Sequence, residues 1–308
     1  MQNIQEIKTK KLTWINITNS NKDNIKYLKN EFGFDPLDLS QSLPSMQRPK
    51  IHDHKDYIFI ILQFPFYDKD MRTIEAAEID MFVKKKYLIT SHTGELTPLV
   101  DMFNMYLNDQ LARIQLEKED LPGLIYKIFH KLYNYCYPIL NDIDNDISEA
   151  EKGVLDHSAK KTIEHILLTK RNIVDYEKIM QSHARIWEKF WEFASKFKFD
   201  LKTSNYFRNL MDYSNDIWDY LKNYKDTISA LHETQEAMTS FKTNQIMKTL
   251  TIFSVVVFPL TLLAAIFGMN TMNSMPFVNN KYDFWYIIGI MFVGMIIMFW
   301  FFKRKKWL

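Results

Sequence analysis

The chain has 308 residues, a formal net charge of +2 and 47% hydrophobic residues. Acids and bases nearly balance, 37 against 39, which excludes nucleic-acid binding driven by bulk charge. Seven glycines and nine prolines are few for this length and favour long helices, and a single cysteine, Cys136, excludes an intrachain disulfide. Its neighbours Leu132, Tyr133, Tyr137 and Ile139 are apolar or aromatic, so Cys136 reads as a small buried hydrophobe. Met1 to Lys11 is polar and charged, with no apolar stretch of signal-peptide type, and the N-terminus is expected in the cytoplasm.

Residues 1–118 read as a mixed α/β domain. Leu12 to Thr18 is a short strand, and Asn21 to Phe32 a helix with Asn19 or Ser20 as N-cap. Tyr57 to Phe66 is rich in β-branched and aromatic residues and reads as a buried strand. Ile74 to Val83 alternates apolar and polar residues, and Lys86 to Ser91 is a further strand closed by His92-Thr93-Gly94. Pro98 opens a helix to about Asn108.

From about Asp120 the character changes to long helices. An antiparallel pair is expected over 119–203: a first helix to about Lys152, a turn over Gly153 to Ser158, and a second helix from Ala159 to Phe197. A third helix starts near Ser204 and meets no stop before Gly268, with a stalk portion over 204–248. Within it Leu210, Ser214, Ile217, Leu221, Tyr224, Ile228, Leu231, Gln235 and Met238 recur at alternating four- and three-residue steps. That seam packs against another helix, supplied either by the same chain or by identical helices in a ring.

The C-terminal portion, 249–308, carries two uncharged apolar runs. Leu250 to Phe267 has eighteen residues and Phe284 to Phe302 nineteen, each about long enough to cross a ~30 Å hydrocarbon core. The spans are set at about 249–268 and 284–302. Lys303-Arg304-Lys305-Lys306 follows the second run, Lys242 and Lys248 precede the first, and the loop between them carries only Lys281 and Asp283 as charges. The positive-inside rule puts both termini in the cytoplasm and the loop outside. Trp285 and Trp300 sit near opposite ends of the second span, as interfacial anchors do.

Rotating the first span by about 100° per residue puts Met247, Thr251, Ser254, Phe258, Thr261 and Ala265 on one stripe, with Asn244 and Leu250 at its edges. Hydroxyls on such a stripe either bond back to their own helix or face a water-accessible axis. Two spans per chain cannot enclose a path, so several copies in a cyclic ring are required. Neither span carries an acid, which suits an ion that keeps most of its water, as Mg²⁺ does.

Several motifs together resemble the CorA magnesium transporter family. They are Asn244-Gln245-Ile246-Met247-Lys248, Pro259-Leu260-Thr261, Phe267-Gly268-Met269-Asn270, Met275-Pro276 and the terminal Lys-Arg-Lys-Lys-Trp-Leu, with Tyr206-Phe207-Arg208 and Arg48-Pro49-Lys50 upstream. The resemblance covers essentially the whole chain. It implies a membrane protein of α+β class: a cytoplasmic α/β domain, a long helical stalk and two C-terminal transmembrane helices, assembled as a homopentamer in the cell membrane. It implies that Gly268, Met269 and Asn270 form the outer pore entrance, with Thr261, Ser254 and Asn244 as polar pore positions. Met247, Leu250 and Phe258 would form the gate. The basic tail would circle the pore near the membrane surface, and cytoplasmic Mg²⁺ would close the pore at acidic sites between subunits.

The implied function is uptake of Mg²⁺, with Co²⁺ or Ni²⁺ as alternative cargo, driven by the membrane potential. Partners are further copies of the chain, the lipid bilayer and hydrated divalent cations, with no nucleic acid and no resident cofactor. Three positions depart from the family pattern. The outer loop reads Met275-Pro276-Phe277-Val278 where the family often has a glutamate after the proline. Asn209 follows Tyr-Phe-Arg where an aspartate is common, leaving Asp212 as the regulatory acid, and Phe258 stands where other members can have methionine. Met269 favours the magnesium branch over the zinc branch. Two alternative readings stay open: a Zn²⁺ or broad divalent transporter, and a non-conducting membrane-anchored sensor or scaffold.

Other constellations are set aside. Asp142, Asp144 and Asp146 begin an EF-hand spacing, but Ile147 and Gly153 stand where glycine and glutamate belong. The acidic stretch Asp142 to Glu151 reads as a solvated helix face. His52 and His54 lack a cysteine or second histidine pair for zinc. Trp187 and Trp191 read as core, and no nucleophile elbow, phosphate loop or triad occurs, so no enzyme is expected.

Overall fold

The computed structural model describes residues 3–155, 159–194, 201–269 and 282–305. They divide into two compact units, Met1–His232 and Glu233–Leu308. Within the first, six strands form one mixed sheet: β1 (Ile4–Lys8), β2 (Thr13–Thr18), β3 (Lys50–Asp53), β4 (Ile58–Asp68), β5 (Thr73–Lys84) and β6 (Tyr87–His92). Their order is β1-β2-β6-β5-β4-β3. β2 and β6 run parallel, and every other neighbouring pair is antiparallel.

β4 reads as a continuous apolar run because both of its faces are covered. Phe59 and Ile61 point into a core shared with α1 (Lys22–Phe32) and α2 (Pro36–Gln41), built on Leu28, Phe32, Phe34, Leu39 and Phe82. Phe34 stacks on Phe82 at 4.5 Å, and Phe82 on Phe59 at 4.5 Å. Each such pair adds about 0.5–1.5 kcal/mol beyond its buried area. The alternate residue Phe64 faces the other way, against Phe129 and Tyr133. That period of two is the pleat expressed as packing. On β2, Trp14 meets Phe103 of α3 (Thr97–Asn108) edge-on at 4.9 Å.

The strands expected from β-branched and aromatic runs appear within one or two residues of their expected ends. The shorter elements β1, β3, α2 and α4 (Gln110–Lys118) are additional. The α1 cap is Asn21 rather than Asn19 or Ser20: its side chain accepts from the Asp23 and Asn24 amides, and Asn24 returns a bond to the Asn21 amide. Asn19 instead takes a left-handed turn at φ 54.

The helical part begins with α5 (Leu121–Leu155), which runs past Lys152 and through Gly153. Gly153 is required there, since a Cβ would lie 2.6 Å from Thr162 Oγ1. The expected single second helix is two: α6 (Ala159–Met180) and α7 (His183–Ala194), separated by a turn at Gln181-Ser182. His183 explains the break. Its Nε2 bonds the Gln63 carbonyl of β4 at 2.7 Å and its Nδ1 the Tyr133 hydroxyl at 2.9 Å, which ties the start of α7 to the sheet.

Helix α8 runs from Leu201 to Phe267. Of the predicted seam, Leu210, Ser214, Ile217, Leu221, Ile228 and Gln235 are buried. Their partners come from the same chain. Tyr206 stacks on Tyr126 of α5 at 4.5 Å, Tyr213 meets Tyr133, and Lys225 pairs with Glu177 of α6 at 2.6 Å. Phe207 sits against Trp187 and Phe190 of α7. Asp142 and Asp144 lie on the exposed face of α5 as ordinary helix residues.

Candidate functional site

In the second unit, α8 continues to Phe267 and α9 spans Asp283–Arg304. Both carry stretches apolar and long enough to cross a membrane, of which 6% and 0% is buried within the chain. An apolar surface of that extent needs lipid or further copies of the chain to cover it. Near the end of α9, the Arg304 guanidinium lies 5.4 Å from the Trp300 ring centroid. Val255 of α8 lines a groove of about 560 Å³ with Ile297, Met298, Phe301, Phe302 and Lys305.

The stripe residues share one face of an unbroken helix. Met247, Leu250 and Phe258 are 56%, 57% and 70% exposed, so the described residues of their own chain leave most of each side chain uncovered. Asn244 and Thr261 are also exposed, and Ser254 is half-buried. Thr251 and Thr261 donate their hydroxyl protons back to the Met247 and Val257 carbonyls, at 2.8 and 2.9 Å. Back-bonding consumes the proton and leaves the hydroxyl lone pairs as acceptors. The Val257 carbonyl bond falls beside Pro259, whose missing N–H leaves the preceding turn one donor short.

The helix closes at the predicted tripeptide. The Gly268 amide donates to the Ala264 carbonyl at 2.9 Å, and the Met269 amide to the Ile266 carbonyl at 3.3 Å. A Cβ on residue 268 would approach the Ala264 oxygen to 3.1 Å, so glycine suits that close approach. Met269 is exposed. Asn270, the Met275-to-Val278 segment and Lys306 lie outside the described residues.

On the first unit's part of α8, Asp212 is exposed. Asn209 is engaged: Tyr126 donates its hydroxyl to the Asn209 side-chain oxygen at 2.9 Å. A separate acidic cavity of about 380 Å³ is lined by Glu75, Glu78, Asp80, His92 and Glu95 among others. Burial, and then the Glu78 carboxylate beside it, push Asp80 well above the usual carboxylate range. Burial likewise raises Glu78. His92 is held down to about 4 by burial. The alternation of β5 was visible in sequence, but the cavity was not, because the loop residues Ser42 to Met46 that complete its wall come from a distant part of the chain.

Comparison with known proteins fits this arrangement. The model of the family described as CorA-like Mg²⁺ transporter protein matches residues 9–304. The chain is 29% identical over 297 residues to the cobalt/magnesium transport protein CorA of Thermotoga maritima, covering 96% of this chain and 83% of that relative. Its fold is similar to the complete structure of the CorA magnesium transporter from Methanocaldococcus jannaschii, with a TM-score of 0.81 at 20% identity over 99% of this chain and 94% of that one. It is also similar to full-length CmaX, with a TM-score of 0.66 at 15% identity over 96% of this chain and 89% of that one. Likeness at these identities between structures speaks for the fold, and the family match covers nearly the full length. The chain belongs to the CorA family, whose members are ion transporters and not enzymes.

Proposed function

We propose that this chain forms a homopentameric membrane pore that admits Mg²⁺, and Co²⁺ as a second cargo, down the membrane potential. The observation that carries the reading is the exposed stripe from Met247 to Thr261 on one uninterrupted helix that ends at Gly268. Symmetric copies would bring those stripes around an axis. With no acid among the stripe residues, hydroxyl lone pairs would face the water shell of the ion rather than the bare cation. A +2 ion gains about 4–5 kcal/mol per 100 mV, inside negative.

In this reading both termini and the α/β unit are cytoplasmic, supported by Lys303, Arg304 and Lys305 at the end of α9. Gly268, Met269 and Asn270 form the outer entrance. Met247, Leu250 and Phe258 form the apolar gate, while Asn244, Ser254 and Thr261 supply polar rings. The functional parts are the α/β domain over 1–118, the helix pair over 119–203, the stalk over 204–248 and the pore region over 249–308. Asp212 contributes to closure by cytoplasmic Mg²⁺. No resident cofactor is needed.

Purified protein in liposomes with an internal Mg²⁺ dye tests this. Mg²⁺ entry under an inside-negative potential, lowered by Asn270→Ala, is the expected result. No entry down a gradient would favour a non-conducting sensor. Entry indifferent to Asn270→Ala would remove the tripeptide from the ion path.

A further inference from the structure

His52 lies on β3 and His54 follows that strand, so the two side chains, two residues apart, share one face. The strand's register, His52 opposite Phe59, and the hairpin bond from the His54 amide to the Tyr57 carbonyl fix that face. Fourteen residues upstream of His52, Asp38 of α2 points its carboxylate at both rings. His52 Nδ1 lies 2.7 Å from Asp38 Oδ1, and His54 Nε2 lies 2.7 Å from Oδ2. The three ligand atoms lie within 4.8 Å of one another. The lack of a cysteine or second histidine pair made zinc improbable from sequence; the third ligand comes instead from a carboxylate that only the tertiary fold delivers.

The charge balance at this point rests on the two histidines. The Asp38 side chain is 2% exposed, and its only ion-pair partners among the described residues are the two histidines. Neutral imidazoles leave a buried carboxylate without a compensating charge, which is costly. A divalent cation between the three groups supplies it. Access is open on the other side, since the His52 and His54 side chains are 35% and 31% exposed.

The surrounding shell is built to hold the ligands still. Tyr57 donates its hydroxyl to Asp38 Oδ2 at 2.8 Å and accepts the Asp35 amide at 3.0 Å. Its ring stacks on His54 at 4.2 Å with an interplanar angle of 8°. Such outer partners orient ligands in metal centres. Tetrahedral binding at about 2.0 Å per bond needs each imidazole nitrogen to draw back from the carboxylate by roughly half an ångström.

The geometry points to a binding site for a first-row transition divalent cation (Co²⁺, Ni²⁺ or Zn²⁺) held by Asp38, His52 and His54, with water completing the shell. Two imidazoles and one carboxylate select these ions over Mg²⁺, which takes oxygen ligands. The site lies in the α/β unit and does not depend on conduction, so absence of liposome flux leaves it standing.

The test uses full-length protein in detergent, stripped with chelator and titrated with Co²⁺ in excess Mg²⁺, which fills oxygen-lined positions. Equilibrium dialysis gives the stoichiometry, and visible absorption reports imidazole-bound Co²⁺. One Mg²⁺-resistant Co²⁺ per chain is expected. His52→Ala and His54→Phe, the latter keeping a ring stacked on Tyr57, should abolish the absorption. Tyr57→Phe should keep the ligands and weaken binding by about tenfold or more. The proposal is overturned if the wild type holds no Co²⁺ against Mg²⁺. It is equally overturned if both histidine variants, folded by circular dichroism, hold Co²⁺ as the wild type does. A cluster that changes only the pH dependence of stability is a proton-sharing triad and also overturns it.

Discussion

The Tyr133 hydroxyl lies 2.9 Å from His183 Nδ1 and receives the Trp187 indole N–H at 2.7 Å. Since His183 Nε2 faces the Gln63 carbonyl at 2.7 Å, the proton of the neutral ring resides on Nε2, and Nδ1 accepts from tyrosine. In this arrangement both ring nitrogens of the neutral imidazole are satisfied. Burial holds His183 at about 4, against an ordinary 6.5, with the Gln63 carbonyl opposing the shift.

Acid should consequently loosen the first unit. The unfolded chain takes up the proton near 6.5 and the folded chain only near 4, so stability is full above 6.5 and falls as pH drops through that window. The loss reaches about 3 kcal/mol for His183 alone, and His92, also near 4, acts in the same direction. Thermal unfolding between pH 4 and 7 checks this. His183→Gln should lower stability at neutral pH and flatten the slope; an unchanged slope would remove His183 as a cause.

Asp80 works with the opposite sign. Its folded pKa is raised, so ionising it costs stability as pH rises from the ordinary carboxylate range through the folded value. Asp80→Asn keeps the shape without the charge and should stabilise by about 0.5–3 kcal/mol at pH 8. The gain should shrink toward pH 4. Denaturant midpoints at the two pH values measure it, and a gain independent of pH would contradict the argument.

Phe207 fixes the start of α8 against α7, with ring centroids 4.8 Å from Phe190 and 6.0 Å from Trp187. Phe207→Ala should cost about 3–5 kcal/mol. Tryptophan fluorescence during denaturation reads this directly, because Trp187 and Trp191 flank the lost ring. A cost below 1 kcal/mol, against the ~3–5 expected, would mean that the site collapses around the gap.

On the proposed pore stripe, Thr261→Val preserves shape and removes the acceptor lone pairs left after back-bonding to Val257. Mg²⁺ flux should fall by about two- to tenfold, the equivalent of ~0.5–1.5 kcal/mol for one hydrogen bond. Phe258→Ala should raise flux by shortening the side chain on the same stripe. Both are read in the liposome assay, and a Phe258→Ala pore no faster than wild type would take that residue out of the gate.

Much of this fold was legible locally. The β4, β5 and β6 segments are long, β-branched and bounded by turns, and the α8 seam obeys a helical period that the burial of Leu210, Ile217, Leu221 and Ile228 reproduces. Elements of four to nine residues such as β3, α2 and α4 carry too few periods to stand out. The break at Gln181-Ser182 has no glycine or proline; it follows from the long-range bond between His183 and Gln63. The stripe on α8 was legible because it needs one helix only. Asp38 with His52 and His54 was not, because α2 and β3 meet through the core and not along the chain.

Cys136 of α5 is fully buried beside Tyr176 of α6, whose hydroxyl donates to its carbonyl at 3.0 Å, and burial lifts its thiol to about 12. It is also the sole cysteine of the chain. Maleimides and spin labels attack thiolates they can reach, and this one is neither ionised nor accessible. The native sequence is thus already silent toward sulfhydryl reagents. A cysteine introduced at exposed Asp212 or Met247 can carry a single reporter per chain with no background mutation, which opens distance measurements between copies in the proposed assembly.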